Sequence, residues 1–148
     1  MSKPVQARKH PMEYYAPPYP DIAPSVRELK KGNIAVVEPI ICYLERDVYA
    51  LGSGYSKENI WRFLLRVKLS KKEKERLRHV ALHYIETRLS REFFPMCRFI
   101  RGIADDGFTA QVCALQISSD QKSRRRAMIM AAYLKSIKEG EAARRNLF

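Results

Sequence analysis

Cysteine is scarce in this chain and never paired at short spacing, since Cys42, Cys97 and Cys113 stand far apart with no C-x-x-C among them. An odd, dispersed set excludes a disulfide framework and a zinc knuckle, and points to buried structural thiols in a reducing compartment. Long apolar runs are also missing, so neither a membrane span nor a signal-peptide core is expected. Glycine is limited to six residues. The one glycine-rich stretch, "LGSGYS", has neither the spacing of a Walker loop nor the G-x-S-x-G order of a nucleophile elbow, and turns account for it.

Proline is nearly absent from most of the chain: six of the eight lie in the first 24 residues, and only Pro39 and Pro95 follow. Proline lacks the N–H a helix needs, so its retreat leaves the rest of the chain open to helix. The shift in composition sets the expected boundaries: an extended Pro/Tyr-rich strap over 1–24, a basic helical domain over 25–140 and a basic tail over 141–148. Within the strap, "MEYYAPPYPDIAP" lacks the arginine that flanks an SH3 ligand and the spacer of a WW ligand. It reads instead as a stiff extended segment presenting Tyr14, Tyr15, Pro17, Pro18 and Tyr19 to a protein partner at low entropic cost. The start, "MSKPVQARKHP", has the acid-free, basic character of an organellar presequence, but Pro4 and Pro11 break any amphipathic helix there.

Acidic residues are the other shortage, with 16 Asp and Glu against 28 Lys and Arg, for a net charge of +12. That excess is segregated: +3 over residues 1–32, −2 over 33–56, +8 over 57–101, −3 over 102–120 and +6 over 121–148. Segregated positive charge favours an acidic partner, whether nucleic acid, an anionic membrane face or an acidic protein surface.

What is present is helical periodicity. "PSVRELKKG" offers Ser25 as N-cap and Gly32 as stop. "EPIICYLERDVYALG" places Pro39 at the first helical position and Gly52 at the end. A helix from Ser56 buries Ile60, Phe63, Leu64 and Val67, with Trp61 and Leu65 widening the apolar face, so Trp61 reads as core. Ser70 and Glu73 form a capping box for a helix that buries Leu77, Val80, Ala81, Tyr84 and Ile85. Pro95 imposes a kink or a fresh start before Met96, Cys97, Ile100, Ile103 and Ala104. Thr109 is the next expected cap, ahead of Val112, Cys113 and Ile117. A last helix from about Ser119 to Glu139 buries Ala127, Met130, Ala131, Leu134 and Ile137, with Gly140 after it. Only the β-branched "NIAVVEPII" invites a short extended stretch. The expected fold is all-α, a compact bundle or array of five to six helices behind an extended N-terminal segment.

Few residues suggest chemistry. His79, His83 and Glu86 share one helix side, but the core face set by Leu77, Ala81 and Tyr84 points elsewhere at 100° per residue, so an exposed polar face explains them without a metal. No cofactor, metal or small-molecule substrate is expected, and no enzyme. The basic clusters say more. Lys122, Arg124, Arg125 and Arg126 crowd the start of the last helix, against its dipole, and an external anion would complete them. Arg62, Arg66, Lys68, Lys71 and Lys72 run without an intervening acid, and Arg98 and Arg101 extend the block. These cations are the candidate contacts for a phosphate backbone or acidic partner, with recognition mostly by charge.

The expectation is therefore a non-enzymatic basic helical subunit of a larger intracellular assembly, of the ribonucleoprotein or ribosome-accessory type, touching RNA or DNA and neighbouring proteins. The alternative is a protein-binding adaptor or cytoskeletal accessory protein on an acidic surface such as a microtubule. The compartment is cytoplasm or nucleus, with the mitochondrion as a third option.

Overall fold

The computed structural model describes residues 21–47, 53–87 and 91–147, and the tyrosines and prolines of the expected strap, Tyr14, Tyr15, Pro17, Pro18 and Tyr19, lie outside them. The described residues hold seven α-helices and two 3-10 turns and no strand, slightly above the five to six helices the sequence implies. The chain divides into two compact units, Met1–Leu69 and Ser70–Phe148.

In the first unit, α1 spans Ala23–Lys30. Ser25 is not its cap: Asp21 Oδ1 accepts the Ala23 N–H at 3.1 Å, and Pro24, preset for helix, occupies the first turn. The end follows expectation. Gly32 adopts φ 86°, its N–H bonds the Leu29 carbonyl at 2.8 Å, and the Asn33 N–H bonds that of Glu28 at 3.1 Å. This double closure is a Schellman motif, which needs a left-handed residue at Gly32.

Asn33 then accepts from the Ala35 N–H at 3.0 Å and starts a 3-10 turn, Ile34–Val36, that leads into α2, Val37–Arg46. The β-branched run is thus helical, because a side-chain cap and a buried face of Val37, Ile40, Ile41 and Leu44 outweigh local propensity. Pro39 sits third in α2, where its missing N–H has no intrahelical partner anyway. Asp47, left-handed at φ 51°, ends the helix well before Gly52.

Helix α3 spans Ser53–Phe63, starting ahead of Ser56, and tightens into a second 3-10 turn at Leu64–Arg66. Ile60, Trp61 and Leu64 are buried, but Leu65 is 60% exposed. Three residues per turn instead of 3.6 rotate Leu65 off the apolar face that Trp61 shares. Helix α1 packs on α2, α3 and both 3-10 turns. Lys57 of α3 is fully buried, with its ammonium 2.9 Å from the Asp47 carboxylate.

In the second unit, α4 spans Lys71–Thr87 and opens on the expected capping box: the Ser70 N–H donates to Glu73 Oε1 at 2.8 Å, and the Glu73 N–H donates to Ser70 Oγ at 3.1 Å. Leu77, Val80, Ala81, Tyr84 and Ile85 are all buried. Helix α5, Phe93–Ile100, is a fresh start rather than a kink, with Pro95 in its first turn and Met96, Cys97 and Ile100 inside. Helix α6, Asp106–Leu115, is capped by Asp105, which accepts the Phe108 N–H at 2.8 Å, so Thr109 lies within the helix rather than before it. Asp105 is extended, the backbone state an N-cap needs.

Helix α7, Gln121–Leu147, continues through Gly140 beyond the expected end. Its Ala127, Met130 and Leu134 are buried, and α4, α5 and α6 all pack on it. Of the three cysteines, Cys97 alone is buried; Cys42 is half-buried and Cys113 exposed, and none forms a disulfide. No helix among the described residues is long and apolar enough to cross a membrane.

Candidate nucleic-acid interface

The start of α7 shows what becomes of four cations in five positions. Asp120 caps the helix, accepting the Ser123 N–H at 3.0 Å and its hydroxyl at 2.6 Å. Those two bonds from Ser123, the hydroxyl first, hold the Asp120 carboxyl below its ordinary 3.8. Arg126 is only 5% exposed, and its Nε donates to the Ile85 carbonyl in the last turn of α4. Arg124, half-buried, donates to the Ser118 carbonyl at 2.8 Å in the α6–α7 connection. A helix leaves its last four carbonyls unbonded and its C-terminus negative, so a guanidinium from a neighbouring helix answers both needs. The crowding of cations that seemed to require an external anion is thus half explained inside the protein. Lys122 and Arg125 remain exposed, three apart on one side of α7.

Lys71 and Lys72 are exposed at the other end of α4 from Ile85. At 1.5 Å per residue the two ends of that helix lie about 20 Å apart. The second unit therefore displays its cations in two places. Arg98 is exposed, and Arg101 lies over the Tyr133 ring at 5.8 Å.

In the first unit, Arg62 is exposed and pairs with Glu58 at 2.9 Å, one turn back on α3. Lys68 is exposed, with no carboxylate partner among the described residues. Arg66 is exposed yet held in place: its guanidinium donates to the Lys30 carbonyl at 2.9 Å, closing the end of α1, and lies 5.0 Å from the Phe63 ring centroid. Lys30 reaches the same ring at 5.8 Å. Arg27, one turn back, is exposed beside it. Glu28 is bonded by Asn33 and Lys31, which lower its pKa in that order, and the charge of Arg27 adds a smaller contribution in the same direction.

Arg27 and Lys30 escape sequence reasoning, since they sit in a short helix with one glutamate and only tertiary packing sets them beside Arg66 and Phe63. Lys57 escapes it too. It looks like one more surface cation, and only its burial against Asp47 removes it from the count. The expected run from Arg62 to Lys72 crosses the boundary between the units, with Arg62, Arg66 and Lys68 on one side and Lys71 and Lys72 on the other.

His79 and His83 are exposed, as the helical phase requires. His79 lines a groove of about 240 Å³ with Glu75, Leu82, Phe108 and Gln111. Two of its charged lining residues pair with each other, Arg78 with Asp105 at 3.2 Å, and Arg78 also donates to the Ile103 carbonyl at 2.9 Å. No group of three His, Cys, Asp or Glu among the described residues is placed to hold a metal ion.

The fold and this surface define an all-helical protein with basic patches. In comparisons with known proteins, no family model, no curated protein and no solved structure matches the chain.

Proposed function

We propose that this chain is a non-enzymatic, basic helical subunit of a larger assembly that contacts the phosphate backbone of RNA or DNA. The observation that carries the reading is the set of exposed cations with no carboxylate partner among the described residues: Arg66 and Lys68 in the first unit, Lys71, Lys72, Lys122 and Arg125 in the second. Such cations keep their water until a polyanion displaces it, and release of the polyanion's counterions then drives binding. Arg62 joins them by exchanging Glu58 for phosphate, whereas Arg124 and Arg126 support the fold beneath. Arg98 and the ring-stacked Arg101 add to the second unit's positive field.

The test is binding of the full chain to homopolymeric RNA across a salt series. The expected result is a steep loss of affinity with salt, lessened by the double change Lys122→Glu/Arg125→Glu. The opposing result is no retention at physiological salt, or retention on an acidic protein filament in preference to RNA. That second outcome would favour the adaptor reading, to which the exposed Ile117 (85%) and Met128 (58%) near the α7 cations lend support.

A further inference from the structure

The corner built by α1 and the 3-10 turn at Leu64–Arg66 sets two cations over one aromatic ring beside exposed apolar surface. Arg66 is pinned twice, by the Lys30 carbonyl and the Phe63 ring, so little side-chain entropy remains to be lost on binding. Lys30 shares that ring, placing two like charges on one half-exposed aromatic with no acid between them. Leu65, beside Arg66 in the chain, presents 60% of its surface to water.

We infer that this corner docks single-stranded nucleic acid, with Lys30 and Arg66 sharing a phosphodiester, Arg27 meeting the next phosphate, and an unstacked base lying against the Phe63 edge and Leu65. The inference rests on the polyanion reading above and narrows it to one strand state and one site. A duplex offers this corner only phosphates, leaving Leu65 and Phe63 wet, whereas a single strand offers a charged backbone and a splayed base together. A glutamate peptide meets the charge but has no flat ring to cover the apolar part.

The experiment measures fluorescence polarisation of the full chain with a labelled oligouridine, the same length of oligothymidine, a duplex of that length and a glutamate peptide. Comparison is made with Arg27→Glu/Lys30→Glu, Lys30→Gln and Lys122→Glu/Arg125→Glu. Emission of Trp61, the one tryptophan and fully buried, reports whether the first unit stays folded. The expected result is tighter binding of both single strands than of the duplex or the peptide. Arg27→Glu/Lys30→Glu should lose about tenfold or more, with the salt slope for the single strands falling by about 1.4, about 0.7 for each cation changed, and Lys30→Gln should lose less with Trp61 emission unchanged.

The inference is overturned if the Arg27 and Lys30 changes leave single-strand affinity intact, or if duplex or peptide binds equally well. If affinity falls only in Lys122→Glu/Arg125→Glu, the polyanion reading stands and this site does not. If no nucleic acid binds at all, both fall.

Discussion

Helix α7 begins with four cations packed into five positions, while the α1 corner assembles its three from residues as far as 39 apart in the chain, Arg27 to Arg66. Both regions use the same local device, an arginine donating to a carbonyl at the end of another helix. In the second unit Arg126 is enclosed as it does so, and its charge is spent on α4. In the first unit Arg66 closes α1 from outside and stays exposed, so its remaining donors face water. Density of charge along the chain and availability of charge in space are therefore different quantities, and burial converts one into the other.

Changes at the buried cations should be the most damaging. Lys57→Ala removes a fully buried ammonium from the part-buried Asp47 carboxylate it pairs with, and a cost of about 3–5 kcal/mol is expected, read from urea unfolding followed by Trp61 emission. A loss below about 1 kcal/mol would mean that this pair is no more than a surface bridge.

Next comes Arg126→Ala, which orphans a carbonyl at the end of α4 and should cost about 2–3 kcal/mol. Cys97 supplies an independent reporter in the same unit, because burial pushes its thiol up to about 12 and so keeps it from reacting near neutrality. Labelling of Cys97 should accelerate in Arg126→Ala, while the exposed Cys113 reacts at an unchanged rate. Unchanged Cys97 labelling would count against a structural role for Arg126.

A smaller effect is expected at Asp120. Its folded carboxyl titrates below the ordinary 3.8, so the stability it contributes is complete above that value and fades as pH falls toward the folded pKa. Asp120→Asn retains an acceptor for the Ser123 N–H but cannot ionise, and should flatten that acid limb of the stability profile. A limb of equal steepness in the variant would assign it to other carboxylates.

Least affected should be Lys122→Glu/Arg125→Glu. Acids near a helix N-terminus are favoured where cations are not, so Tm should hold or rise slightly even as affinity for polyanions drops. A large loss of Tm would place these two side chains with Arg126 as supports of the fold.

Several elements were legible before the structure. The Ser70–Glu73 capping box, the Gly32 stop, the buried face of α4 and the outward histidines all follow from spacing, because each depends on residues within one or two turns. The caps at Ser25 and Thr109 were misplaced because Asp21 and Asp105, slightly upstream, already supply the acceptor. Helix phase at 3.6 residues per turn places Leu65 beside Trp61 on the apolar face, whereas the stretch tightens to 3-10 there and Leu65 is exposed. Among the candidate contacts, helix phase does not sort Arg124 and Arg126 from Lys122 and Arg125, since at 100° per residue Arg126 falls about 40° from Lys122 and about 200° from Arg124, and phase does not reveal which carbonyl a guanidinium will find.

Sequence by itself determined the helical class, the Gly32 stop, the Ser70–Glu73 capping box and the net positive charge, since periodicity, caps and charge are properties of neighbouring residues. Tertiary structure alone decided which cations are free. Whether Lys57, Arg66 or Arg126 faces an ion, a ring or a carbonyl depends on partners ten to 41 residues away, and only packing brings those together.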